Sequence, residues 1–267
     1  MSEVRTFRKK VFLYYRKHAR VFPWRETRDP YRILVSEIML QQTQADRVVK
    51  KYGEFLKEFP TVRSLARSPL ARIIRAWQGL GYNRRALYLK RAAEIIVEKY
   101  GGRIPRNEMK LRELPGIGPY TAAAVSAFAY NIPTVFIETN IRSAFIHHFF
   151  PARKKVKDSE ILPLINNALS HRNPRHWYQA LMDYGAYVKR VHGNPGRRSA
   201  HYVRQASFRG SDREIRGTII RLLAEQKMRE TELAEHLKID SVRARGNLLR
   251  LTEEGMIKKK LGIYEII

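Results

Sequence analysis

Apolar residues recur every three to four positions along most of the first two hundred residues, and no run there alternates as a strand would. The pattern predicts helices almost throughout. Residues 4–18 form a basic helix with aromatics on one side. Residues 30–52 read as one long amphipathic helix, with Asp29 as N-cap and Pro30 at the first position. Short helices follow over 62–67 and 70–77. Gly79 and Gly81 then make a turn, and residues 84–100 form a helix that stops at Gly101 and Gly102. Residues 114–137 carry no charge but are broken by Pro115, Gly116, Gly118, Pro119, Asn131 and Pro133. That stretch predicts a turn and a buried, alanine-rich helix, not a membrane span.

Periodicity fades over 188–217, which holds eight Lys or Arg against two acids and the turn sequence Gly193-Asn-Pro195-Gly196. This segment reads as a basic loop leading into a linker. It resumes in the tail as helices over 215–226, 231–237 (capped by Thr231) and 241–254 (capped by Ser241). A two-stranded wing turning near Gly262 follows. Three helices and a hairpin make a winged helix-turn-helix. Its third helix carries Arg243, Arg245 and Arg250, as a groove-facing helix would; a winged helix that binds protein is the alternative.

Charge narrows the field. The 267 residues hold 52 Lys and Arg against 25 Asp and Glu, a formal charge of +27. The charge runs along the whole chain, which favours nucleic acid over a membrane surface as the polyanion. There is no cysteine. Disulfides, thiolate-ligated zinc or iron–sulfur clusters and thiol nucleophiles are therefore excluded. His192 and His201 lack neighbouring ligands and read as solvated histidines. The charged start, residues 1–20, has no apolar signal core, and the expected setting is cytoplasmic and nucleoid-associated.

The chemistry-bearing block is Leu111-Arg-Glu-Leu-Pro-Gly-Ile-Gly-Pro-Tyr-Thr-Ala-Ala-Ala. Gly116 and Gly118 join two helices, and such a turn lets backbone N–H groups approach a phosphate at a helix N-terminus. The block resembles the hairpin of the endonuclease III and MutY superfamily of DNA glycosylases. Further segments match MutY in order: Phe22-Pro-Trp-Arg25, the run from Asp29 through Ser36-Glu-Ile-Met-Leu-Gln-Gln-Thr-Gln44, Phe59-Pro-Thr-Val62, Trp77-Gln-Gly-Leu-Gly-Tyr82 and Ala180-Leu-Met-Asp-Tyr-Gly-Ala186.

The resemblance implies an all-α, bilobal helix-hairpin-helix glycosylase fold with a C-terminal winged helix-turn-helix module. Its divisions would be a six-helix domain over 21–130, a second lobe from 1–20 plus 131–210, and the tail 211–267. Double-stranded DNA with a mismatched or damaged base would be bound by a monomer, with the target base flipped out of the stack, and no membrane partner is implied. Glu37 matches the general acid that protonates adenine, a role that needs a carboxyl with a raised pKa in a partly dry pocket. Tyr120 stands where bifunctional relatives carry a lysine. Tyrosine cannot form a Schiff base, so the abasic strand would stay intact. Gln41, Gln42, Thr43, Gln44 and Tyr82 match residues that fill the gap and probe the orphaned base. Asp183 matches an acid near the adenine edge, with Trp24 and Arg25 beside it in the base pocket.

Glu138 stands where the family has an aspartate that stabilises the charged sugar; Asn140 and Arg142 keep the frame. The longer acid does the same work, belongs to a site adapted to another base, or marks an impaired enzyme; the first two together are favoured. Most relatives hold a four-iron cluster in the region equivalent to 188–208. This chain has none of the ligands, so packing would hold that loop, leaving Lys189, Arg190, Arg197, Arg198 and Arg204 for phosphates. No cofactor is expected. In MutY a hydrolase-like domain that senses oxidised guanine follows; here a winged helix stands in its place. The leading expectation is adenine release opposite guanine or oxidised guanine. The alternatives are uracil or thymine release opposite guanine, whose enzymes also carry tyrosine at the position of Tyr120, and a DNA-binding protein without catalysis.

Overall fold

The computed structural model describes residues 3–204 and 207–267. The helices run in chain order as α1 (Glu3–His18), α2 (Pro23–Glu26), α3 (Pro30–Leu40), α4 (Ala45–Glu58), α5 (Val62–Arg67), α6 (Leu70–Trp77) and α7 (Arg84–Tyr100). They continue as α8 (Glu108–Arg112), α9 (Pro119–Tyr130), α10 (Thr139–Phe149), α11 (Asp158–Ala168) and α12 (Pro174–Val191). The tail adds α13 (Asp212–Glu225), β1 (Met228–Arg229), α14 (Glu230–Leu237), α15 (Ser241–Glu253), β2 (Ile257–Lys260) and β3 (Ile263–Ile266). Among the described residues, the named strands all lie in this tail, as an antiparallel sheet ordered β1-β3-β2. Leu261 and Gly262 turn the wing with positive φ, as a tight hairpin requires. None of the described helices is long and apolar enough to cross a membrane.

Contacts gather the chain into two compact units. The first takes the chain through Leu34, then Arg106–Arg112 and Ile117–Arg204. Here α10 packs on α12, and α12 on α1, around Phe7, Phe145 and Trp177, each at most 3% exposed. Gly185 permits the close approach of α12 to α10: a Cβ there would stand 2.1 Å from the Asn140 carbonyl oxygen.

The second unit takes Val35–Pro105, Glu113–Gly116 and the tail that ends at Ile267. Its core gathers Phe55, Phe59, Ile73, Ile74 and Trp77, all fully buried. The tail's α13 packs on α6 through a face that buries Ile215, Ile219, Ile220 and Leu223, and Arg75 Nη1 donates to the Ala224 carbonyl at 2.6 Å.

Three sequence expectations need correction. The helix expected over 30–52 is two helices. Between them the chain turns at Gln41–Gln44, where Gln42 takes φ +55. Thr231 does not cap α14, since it lies inside the helix and Arg229 holds the cap position. Ser241 is likewise the first residue of α15. The cap is Asp240, whose carboxylate accepts from the Arg243 amide at 2.8 Å. Asp29 does act at the start of α3, accepting from the Tyr31 amide at 2.8 Å. The expected linker includes residues 205–206, which lie outside the described residues; residues 195–198 form a 3-10 turn.

Candidate functional site

In the second unit, Glu37 lies within Val35–Met39, a run of α3 in which every residue is buried; Glu37 itself is 4% exposed. A helix buried all round keeps water from its one carboxyl. The turn after α3 presents Gln42 and Gln44 to solvent, with Gln41 and Thr43 half-buried. Gln41 Nε2 lies 3.4 Å from the Gly116 carbonyl oxygen. Gly116 takes φ +75, and a Cβ there would meet Tyr88 at 2.8 Å, so any other residue would strain the hairpin.

The turn is held by a residue that sequence reasoning missed. Arg85, 8% exposed, donates from Nη1 to the carbonyls of Ile38, Met39 and Gln41 at 2.9, 2.8 and 2.5 Å. Its Nη2 donates to Thr43 Oγ1 at 3.0 Å and to the carbonyls of Leu80 and Gly81 at 3.1 and 2.9 Å. Burial brings its pKa down to about 10. One guanidinium thus ties the end of α3 and the glutamine turn to the glycine turn that carries Tyr82. In sequence Arg85 is one of 52 Lys and Arg, and no spacing sets it apart.

The first unit holds three more groups. Glu138 is the N-cap of α10. Its Oε1 accepts from the amides of Asn140 and Ile141, both at 2.8 Å, and its Oε2 from Thr139 Oγ1 at 3.0 Å and Asn140 Nδ2 at 3.3 Å. The extra methylene of glutamate is absorbed by curling back onto the orphan amides of its own helix. Lys189 Nζ reaches Asn140 Oδ1 at 3.3 Å.

Tyr120 stands in the first turn of α9, whose cap Gly118 offers no side chain. Its ring meets Phe136 edge-on at 5.6 Å, and Phe136 stacks on Tyr178 at 3.9 Å. The Tyr178 hydroxyl donates to the Thr134 carbonyl at 2.7 Å, and burial pushes that phenol's pKa up. This aromatic wall fixes the loop leading to Glu138.

Asp183 and Arg25, both expected in the base pocket, are bound to each other, and Asp183 is fully engaged. Arg25 donates to both of its oxygens, and Arg20 adds its amide at 2.9 Å and its Nε at 2.7 Å. Burial alone would raise the Asp183 carboxyl; the hydrogen bonds and charge of Arg25, then Arg20, outweigh it and hold it below the usual carboxylate range. Trp24 is 9% exposed and stacks on Phe22 at 4.9 Å.

Residues 35–163 match the family described as HhH-GPD superfamily base excision DNA repair protein. The chain is 34% identical over 170 residues to the adenine DNA glycosylase of Buchnera aphidicola subsp. Baizongia pistaciae, covering 63% of this chain and 48% of that one. It is also 34% identical over 155 residues to the thymine/uracil-DNA glycosylase of Methanothermobacter thermautotrophicus, covering 56% of this chain and 70% of that one. The solved structure of a thermostable thymine-DNA glycosylase matches with a TM-score of 0.65 at 30% identity, over 69% of this chain and 86% of that one.

The chain belongs to the HhH-GPD superfamily of base excision DNA repair proteins. It spans about half the length of the Buchnera relative.

For an HhH-GPD protein, the region after α12 departs from the pattern that its resemblance implied. Without a cysteine, the donors of a four-iron cluster are missing and the region does not fit one; among the described residues, no group of three or more His, Asp or Glu could hold a metal ion either. Protein contacts hold it instead. Val156 and Ser199 form a parallel bridge. Arg198 donates from Nη1 to the carbonyls of Phe150, Pro151 and Arg153 at 2.6, 2.9 and 3.0 Å, and from Nη2 to that of Ile146 at 3.3 Å. The fork of Arg198, a residue expected to serve phosphate, thus closes the C-terminal end of α10. Arg197 is exposed. In the tail, Arg245 pairs with Glu230 at 2.9 Å, and Arg243 and Arg250 each reach Asp212 at 3.4 Å. All three side chains stay largely exposed, so these pairs are weak tethers.

Proposed function

We propose that this chain is a monofunctional DNA glycosylase that releases adenine mispaired with guanine or oxidised guanine. It would act as a monomer on double-stranded DNA in the cytoplasm. The observation that carries the reading is the buried Glu37 one helical turn before the exposed glutamine turn that Arg85 holds. Glu37 would protonate the flipped adenine ring. The glycosidic bond then breaks, its electron pair leaves with the protonated base, and water adds to the sugar as its proton passes to the Glu37 carboxylate, restoring the acid. Positive charge develops on the sugar as the bond breaks. The carboxyl group of Glu138, fixed by four donors, would face that charge without having to reorganise. Tyr120 offers no amine, so no imine forms and the strand stays whole.

The identities to the thymine/uracil and thymine glycosylases favour a second reading, thymine or uracil release opposite guanine. A duplex panel decides. Adenine, thymine and uracil are each placed opposite guanine and oxidised guanine, and strand breaks are scored before and after alkali. We expect alkali-dependent breaks at adenine. Breaks at thymine or uracil alone would establish the second reading, and an intact panel would overturn both.

A further inference from the structure

The tail reaches the residue expected to probe DNA. Tyr82 follows Gly81 at the end of the glycine turn, with its backbone at φ +48. Non-glycine residues hold that conformation only where their surroundings enforce it. Two arginines surround this ring. Arg85 places its guanidinium carbon 5.5 Å from the ring centroid. Arg213, in the first turn of α13, donates from Nη1 to the Tyr82 hydroxyl at 2.9 Å and stands 6.0 Å from the ring centroid.

Arg213 hangs from a fixed support. Besides the buried face of α13 and the bond from Arg75 to Ala224, Arg216 Nη2 donates to both oxygens of Glu254 at 2.7 and 2.8 Å. Arg84, two residues beyond Tyr82, lies 4.0 Å from the same carboxylate. The tail is thus tied to both sides of the turn. A tyrosine ring without a tether at its hydroxyl visits several rotamers; one tethered at the hydroxyl and flanked by a cation is set before DNA arrives.

We infer that Arg213 is a positioning residue for Tyr82, and that the tail thereby takes part in choosing which mispair is processed. The inference rests on the reading of Tyr82 as the residue that probes the orphaned base. Arg213→Ala, Arg213→Lys, Tyr82→Phe and the Arg213→Ala/Tyr82→Phe double variant, all in the full chain, test it. Single-turnover base release is measured with adenine opposite guanine, oxidised guanine and cytosine. Arg213→Ala should slow release on the preferred pair by about tenfold, the scale of one hydrogen bond from a charged donor. It should also narrow the gap between pairs while leaving the melting temperature in place. Arg213→Lys should recover part of the loss. In the Tyr82→Phe background, where the accepting hydroxyl is gone, removing Arg213 should change little. Equal losses on every pair together with a lower melting temperature would overturn the inference, as would a faster Arg213→Ala.

A second readout does not need catalysis. 2-Aminopurine beside the orphaned base brightens when the stack is opened. Brightening that depends on Arg213 and Tyr82 supports the inference even if no base is released by the wild type, which would sink only the glycosylase reading. Equal brightening with and without Arg213 overturns the inference while leaving that reading intact.

Discussion

Arg25 grips Asp183 through two parallel hydrogen bonds of 2.8 Å, one to each carboxylate oxygen. The acid is 2% exposed, so the pair joins α2 to α12 inside the first unit. Removing one charge from such a pair leaves the other buried and uncompensated. Asp183→Asn should therefore lower unfolding stability by about 3 kcal/mol, measured by chemical denaturation. The pH dependence carries a sign. The folded carboxyl titrates below its usual 3.8, so its stabilisation is complete above that value and is lost as pH falls through the lower folded value. The variant should lack this acid limb; a variant as stable as the wild type would show that the pair contributes nothing.

Glu37→Gln should keep duplex binding and reduce base release by about 10²–10⁴-fold, the range of general acid catalysis. Gel-shift affinity and single-turnover release measured side by side make the check. Release at the wild-type rate would remove Glu37 from the mechanism.

Glu138 joins two tasks in one carboxyl: it caps α10 and would face the sugar. Glutamine can still accept at one oxygen, so Glu138→Gln should spare the melting temperature and lower release by about 10²-fold or more. Alanine loses the cap as well, at a further cost of about 1 kcal/mol in stability. Aspartate can cap the helix but sits one methylene further back, and Glu138→Asp should be no faster than wild type. A faster Glu138→Asp would mean that the pocket is shaped for the shorter acid.

His148 should make the first unit sensitive to mild acid. Burial, with the charges of His147, Lys10 and His192 adding to it, pushes its pKa down to about 4. Its Nε2 lies 2.6 Å from the Tyr184 hydroxyl, and its ring lies 5.1 Å from that of Phe7. The unfolded chain takes up this proton near pH 6.5 and the folded chain only near 4, so stability should decline as pH falls between those values. His147 is shifted the same way. His148→Gln should remove the larger part of the slope in pH-resolved thermal melts; an unchanged slope would assign it to other groups.

Arg198 closes the end of α10 with bonds to four carbonyls. Arg198→Ala strips their donor, should cost about 1–3 kcal/mol, and should open the 193–204 segment to proteolysis ahead of the rest of the chain. A digestion pattern matching the wild type would mean that the Val156–Ser199 bridge suffices.

Helix positions were legible because apolar period is local, and the motif that names the candidate catalytic residues is local too. The break between α3 and α4 was not. Val48 and Tyr52 continue a helical spacing across Gln41–Gln44, and the agent that bends the chain is Arg85, more than forty residues away. Asp240 and Ser241 are adjacent cap formers, and only the observed bond to the Arg243 amide chooses between them. Asp183 was expected as an acid near the adenine edge; its burial and its partner Arg20, which lies outside every matched segment, were not. Arg198 read as one more phosphate-seeking cation, because sequence cannot tell a solvated guanidinium from one turned inward onto carbonyls.

The closure built by Arg198 and the Val156–Ser199 bridge has a bearing on supply. Where four thiolates would close this region around iron, the chain closes it with its own backbone and one guanidinium. Closing this region therefore calls for no thiolate-held iron: backbone and guanidinium contacts do it.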